Sequence, residues 1–266
     1  MTSAVLPRRK FGSTGIEISV IGLGTVKLGR DQGVKYPHAF AIPDDEAAAA
    51  LINYAHELGV NLIDTAPAYG NSEERLGHLF SGGKLSGQRD DWIICTKVGE
   101  EFEKGKSFFD FSATHTRFSI ERSLKRLRTD VLDIVLIHSD GNDLDVIHRS
   151  DALATLERCK TEGLIRAYGV STKTVEGGIA AAGRCDGVMI TYNALYTDEL
   201  PVLEFCAAHH KGVLIKKALA SGHIGNGAIS AEQSLQLVLQ HSAVSSAIVG
   251  TINPQHLRDN ILGCSA

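Results

Sequence analysis

Eight times along the chain a short apolar run, rich in β-branched residues, gives way to a longer run with helical spacing, and this alternation restricts the fold more than any other feature. The pairs start with VIGLGT (20–25) and 44–58, where Ala47, Leu51, Ala55 and Leu58 line one face behind a capping Asp44. They continue as NLIDTA with 72–80, WIICTKV (92–98) with a helix through Ile120, Leu124 and Leu127, and VLDIVLIHS (131–139) with a helix through Leu153, Leu156 and Cys159. IRAYGVS (165–171) precedes 174–185, and GVMITYN (187–193) precedes 199–210. VLIKKAL (213–219) leads to a helix opened by Ser230-Ala231-Glu232-Gln233, a capping-box spacing, and SSAIVGT (245–251) leads to one opened by Asn253-Pro254. With no linker between them, such units form parallel strands joined by right-handed crossovers. The expected fold is α/β, a (β/α)8 TIM barrel spanning 1–266 as one domain, with the KFGSTGIEIS segment (10–19) as a hairpin closing the bottom. An open doubly wound sheet is the alternative.

At 266 residues and 43% hydrophobic content the chain can bury a core of this size. The formal charge of −4 and the scattered lysines and arginines point away from a nucleic-acid groove or an anionic membrane, and toward a small neutral or acidic partner. Cys95, Cys159, Cys185, Cys206 and Cys264 show no paired spacing, which fits reduced thiols. The opening MTSAVLPRRK has no apolar signal region and no run reaches membrane-span length, so the expected location is the cytoplasm and the default state a monomer.

Four residues at or just past apolar runs carry chemistry: Asp64 and Tyr69 in NLIDTAPAYG, Lys97 in WIICTKVG and His138 in VLDIVLIHS. A barrel gathers its strand ends at one face, so these become neighbours. A lysine ammonium beside a phenol favours phenolate, a carboxylate keeps that lysine charged and pointed, and a histidine can orient a bound carbonyl oxygen. Taken singly, Asp64 reads equally as a helix cap, Lys97 as a snorkelling surface residue and His138 as a satisfied core histidine. Jointly, charged groups ending apolar strands are costly without partners.

The chain resembles the aldo-keto reductases in DTAPAYG, the TK and LIH strand endings, FDFSATHTRFSIERSLKRL (109–127), GVST, TYN and the closing I-x-G-T-x-N-P-x-x-L-x-x-N, all in family order. The resemblance implies an NAD(P)H-dependent reduction of small aldehydes or ketones, or the reverse. Tyr69 would then be the general acid, Lys97 and Asp64 would tune it, and His138 would position substrate. It also implies a dinucleotide lying across the strand ends, held by Gly24, Thr25, Lys27, Asp64, Ser171, Thr172, Asn193, Lys216, Lys217, Ala218, Leu219, Ser221, Gly250, Thr251, Asn253, His256 and Asn260, with no metal. Ser171 and Asn193 match residues that hold the nicotinamide carboxamide, and 218–222 match the loop over the pyrophosphate. Lys216 departs from an aromatic that commonly stacks under the nicotinamide, so either its stem packs against the ring or cofactor affinity is reduced; the bland reading of Lys216 and Lys217 is a solvated pair. Gly250 and His256 stand where NADPH-specific members have a lysine and an arginine. Thr251, Asn253 and the last helix still offer donors to a 2′-phosphate, so NADP(H) is preferred with NAD(H) as the alternative.

Many members extend into a C-terminal tail over the active site, whereas this sequence stops at Ala266. Together with short connections at 139–145 and 220–230, and Val26 in place of a tryptophan, this predicts an open, wet pocket with broad, weak activity. The 29–42 segment is the candidate for partial cover, and Phe108, Phe109 and Phe111 either wall the pocket or sink into the outer layer. Two other readings compete: a Schiff-base aldolase using Lys97, and a non-enzymatic nicotinamide-binding regulator.

Overall fold

The computed structural model describes residues 6–85, 87, 89–223 and 229–264. Its elements run β1 (Arg8–Lys10), β2 (Glu17–Ser19), β3 (Ile21–Gly24), α1 (Val26–Gly29), α2 (Asp45–Glu57), β4 (Leu62–Asp64), α3 (Ser72–Ser81), β5 (Ile93–Val98), β6 (Glu100–Glu103), β7 (Lys106–Phe109) and α4 (Ala113–Leu127). They continue with β8 (Leu132–His138), α5 (Asp143–Arg149), α6 (Ala152–Thr161), β9 (Ile165–Ser171), α7 (Val175–Arg184), β10 (Gly187–Thr191), α8 (Leu200–Ala208), β11 (Gly212–Lys216), α9 (Ala231–Gln240), β12 (Val244–Val249) and α10 (Pro254–Leu262). Strands β3, β4, β5, β8, β9, β10, β11 and β12 pair in parallel and close into a barrel, which excludes the open sheet.

Side chains alternate along each strand, and this parity builds two cores. Inside the barrel lie Leu62, Ile93, Cys95, Ile134, Leu136, Ala167, Met189 and Leu214. Neighbours of the opposite parity, such as Ile63, Ile94, Val135, Ile137, Val188 and Ile215, face the helices. From below, the β1–β2 hairpin inserts Phe11, Ile16 and Ile18 into the interior cluster. Room for the Phe11 ring comes from missing side chains: a methyl on Gly212 would lie 2.4 Å from it and one on Gly187 2.5 Å.

The expected caps form where the chain needs them. Asp44 accepts from the Ala47 amide, and Asn253 accepts from those of Gln255 and His256. Ser230 and Gln233 close a reciprocal capping box. The eighth helix starts at Pro254 as read, while α8 is shorter than 199–210. Three elements lie outside the eightfold reading: α1, α5 and the β6–β7 hairpin, which stands on the barrel mouth after β5. No helix among the described residues is long and apolar enough to cross a membrane.

Candidate active site

The parity that packs the interior also delivers the polar residues. Two residues beyond Leu62 comes Asp64, two beyond Cys95 comes Lys97, two beyond Leu136 comes His138, and two beyond Leu214 comes Lys216. Each sits at the top of an inward-facing row, so the alternation that makes the core also builds the site.

Asp64 and Lys97 form a buried ion pair, with Lys97 Nζ 2.6 Å from Asp64 Oδ1 and 2.9 Å from the Thr65 carbonyl oxygen. Lys97 is 1% exposed, so it is not a snorkelling surface residue, and Asp64 is spent on the lysine rather than on a helix cap. Burial alone would favour a neutral amine, but Asp64 outweighs it and holds Lys97 above the ordinary lysine range. The Thr25 hydroxyl donates to the Asp64 carbonyl oxygen and accepts from Ser72, which ties β3 and the start of α3 to the same point.

Tyr69 lies in the turn after β4, with the Lys97 ammonium 4.8 Å from its ring centre and the His138 ring edge-on at 6.4 Å between centres. The phenol is not acidified in this state. Burial pushes it above the ordinary tyrosine value, Lys97 pulls it down, and Asp64 pushes it up again. Lys97 favours the phenolate as expected, through its charge and a hydrogen bond, but burial is the larger cause and outweighs it, with Asp64 acting in the same direction as burial. A neutral phenol facing a fixed ammonium remains a proton donor whose anion is stabilised as it forms.

His138 Nδ1 stands 2.7 Å from Glu100 Oε2 in a bent contact, and Glu100 also accepts from the Ser107 hydroxyl at 2.5 Å. Burial opposes the Glu100 charge, yet His138, Ser107 and Arg30 outweigh it and hold the carboxyl at about 2. Glu100 escaped the sequence reading. A Lys104-Gly105 turn between two short alternating runs was the available signal, and both residues take positive φ in the structure (49° and 79°), as a tight hairpin requires.

The expected cofactor residues also gather at this end, with several already engaged. Lys216 is half-buried and donates to the Ser171 hydroxyl at 3.0 Å and the Thr172 carbonyl at 2.5 Å, so it is not part of a solvated pair; Lys217 is exposed. Burial lowers Lys216 to about 8 and raises neighbouring Glu199 to about 7. Asn193 donates to the Lys217 carbonyl and accepts from the Leu195 amide. Ala218 is buried and its carbonyl accepts from Ser234, while Leu219 and Ser221 border the loop whose residues 224–228 lie outside the described set. Thr251 receives the Asn253 amide, Asn260 is buried, and His256 is exposed at the start of α10.

The 30–42 segment does reach over the mouth. Arg30 lies 3.3 Å above the Phe102 ring, Lys27 sits 3.9 Å over Tyr36, and methyls on Gly250 and Gly222 would meet Tyr36 at 2.9 Å and Pro37 at 3.3 Å. Phe108 and Phe109 remain exposed on the β6–β7 hairpin, whereas Phe111 packs against the core. Among the described residues no cluster of side chains is arranged to hold a metal ion. Thr172 Oγ1 and Glu199 Oε2 are buried beside Ser171 and Thr191 without hydrogen-bond partners, which fits a polar organic ligand such as a carboxamide better than an apolar one.

This closed barrel with an Asp-Tyr-Lys-His mouth belongs to the aldo/keto reductase family, whose model matches residues 20–228, and the protein is therefore an oxidoreductase of a family that uses nicotinamide cofactors. A solved structure from Pseudomonas aeruginosa, assigned to the aldo-keto reductases, superimposes with a TM-score of 0.87 at 53% identity, covering 97% of this chain and 94% of that one. The uncharacterized oxidoreductase YqkF of Bacillus subtilis is 27% identical over 97% of this chain and 91% of its own length. The NADH-specific methylglyoxal reductase of Escherichia coli is 33% identical over 60% of this chain, a match that spans only 50% of that protein.

Proposed function

We propose that the protein reduces small aldehydes or ketones to alcohols with a nicotinamide dinucleotide, or catalyses the reverse. The observation that carries this reading is the Lys97 ammonium, pinned by Asp64 and set 4.8 Å from the Tyr69 ring, with His138 edge-on to the same phenol. Tyr69 donates its proton to the carbonyl oxygen, and Lys97 stabilises the phenolate that this leaves. His138 orients the carbonyl. A reduced nicotinamide held there would supply the hydride for the carbonyl carbon, which with the Tyr69 proton gives the alcohol. Ser171, Thr172, Asn193 and Lys216 would hold its carboxamide end, and Gly250, Thr251, Asn253 and the N-terminus of α10 its adenosine end.

The donors at α10 favour NADPH, with NADH the alternative; the Escherichia coli relative is NADH-specific. The substrate is small and loosely selected, a reading that rests on the short connections at 139–145 and 220–230 and on Val26 beside the mouth. All five cysteines are free, which supports a cytoplasmic setting. The aldolase alternative loses ground, because Lys97 Nζ donates to Asp64 and Thr65 and stays charged, leaving no free amine pair for a Schiff base.

Fluorescence titration of the protein with NADPH and NADH tests binding, and oxidation of the bound form by nitrobenzaldehyde separates an enzyme from a regulator. Tyr69→Phe is expected to cut turnover by about 10²–10⁴-fold while leaving dinucleotide affinity nearly intact. Equal turnover in that variant removes Tyr69 from the mechanism.

A further inference from the structure

An imidazole has two nitrogens and, when neutral, one proton, so a partner that claims that proton decides what the other nitrogen offers. His138 Nδ1 lies 2.7 Å from Glu100 Oε2. A lone pair facing a carboxylate oxygen at that distance would be repulsive, so the proton belongs on Nδ1 even though the contact is bent. Nδ1 has no partner in full hydrogen-bond geometry, Glu100 being the acidic oxygen beside it, no hydrogen bond to Nε2 occurs among the described residues, and the ring stands edge-on to Tyr69 at the barrel mouth.

We infer that Glu100 is a positioning residue that keeps the His138 proton on Nδ1, so that Nε2 offers a lone pair to an alcohol hydroxyl when the ring is neutral and a proton to a carbonyl oxygen when it is charged. The inference deepens the proposed carbonyl and alcohol chemistry and rests on it for the identity of the ligand, but not for the state of the ring. Glu100 is well built for the task. It opens the β6–β7 hairpin directly after Gly99, whose φ of +98° turns the chain back over the mouth, and it is steadied by the Ser107 hydroxyl across the hairpin.

The other groups facing His138 work against its charge. Burial is the largest cause of its lowered pKa, Glu100 pulls it back up, and Lys97 and Lys216 lower it further. Burial holds the Tyr69 phenol above its ordinary value, and Arg30 acts on Glu100. Glu100, held as a carboxylate down to about 2, thus opposes the three main causes among the described residues that favour a neutral imidazole. Removing its charge leaves His138 neutral and frees the ring proton to move to Nε2.

Nitrogen-15 NMR of histidine-labelled full-length protein tests this directly, with the His138 signal picked out from the 11 histidines by its loss in His138→Asn. The expected result is the Nδ1–H tautomer at alkaline pH, and a His138 midpoint that falls by about one to three pH units in Glu100→Gln. Glu100→Asp should restore part of the lost midpoint, and Ser107→Ala should give a smaller fall in the same direction without touching the ring's neighbour. In turnover at a pH above the His138 midpoint, Glu100→Gln should raise KM for the alcohol about tenfold, because the proton that moves to Nε2 removes the lone pair that accepts from the hydroxyl, with dinucleotide Kd unchanged. A proton on Nε2 in the unaltered protein, or an unmoved midpoint in Glu100→Gln, overturns the inference. Since the NMR arm needs neither dinucleotide nor substrate, a protein that shows the Nδ1–H state but turns over no carbonyl refutes the proposed function and leaves the assignment of Glu100 standing.

Discussion

Lys97 and Asp64 stabilise the fold only as a pair. With Lys97 at 1% exposure and Asp64 at 3%, removing either charge strands the other in a dry interior. Lys97→Met should therefore destabilise the protein by about 3–5 kcal/mol, read as a lower urea midpoint with an unchanged m-value. Glu199 gives a pH signature of its own. Burial raises its carboxyl from 4.5 to about 7, so the stability it contributes is full below about 4.5 and is lost as pH rises through 7. Urea midpoints measured across that window should fall with rising pH, and Glu199→Gln should flatten the fall; an unchanged slope in the variant would assign it to other groups. Asp64, Lys97 and His138 were legible in the sequence because each ends an apolar strand, where an ionisable group is costly unless matched, and Tyr69 because it falls just past the first of them. Glu100 was not, since its importance comes from a turn that folds it back onto a strand about forty residues later, and no periodicity carries that information.

The elements divide along the same line between local and tertiary causes. Helices with strong periodicity and caps, such as α2, α9 and α10, appear where spacing and the Asp44, Ser230 and Asn253 signals put them. The short α1 and α5 carry too few residues for a periodic signal, and the β6–β7 strands are only four residues each. Contacts between helices were equally silent in the sequence. Gly77 of α3 meets the C-terminal turn of α4 so closely that a methyl would lie 1.9 Å from the Arg126 carbonyl oxygen. Gly77→Ala should force the two helices apart at a cost of about 1–3 kcal/mol, seen as a lower Tm, even though alanine is the better helix former. A gain in Tm would show that the α3–α4 contact gives way freely.

At the scale of the molecule, the eightfold alternation made the barrel legible, while the way its two ends are finished came from tertiary packing. The lower end is filled by Phe11, Ile16 and Ile18, which share one apolar cluster with the barrel lining. Phe11→Ala should cost about 3–5 kcal/mol in chemical denaturation and leave dinucleotide affinity unaltered, because the cavity opens at the opposite end from the mouth. A change in affinity larger than about threefold would show that the two ends communicate. The filled base also sets the traffic of protons. Among the described residues Leu62, Cys95, Leu136 and Leu214 fill the barrel beneath the site, so solvent approaches it from the mouth. A proton that replenishes Tyr69 from solvent then shares the mouth, where Arg30 stacks on Phe102, with the departing product, which ties recharging of the acid to the emptying of the pocket.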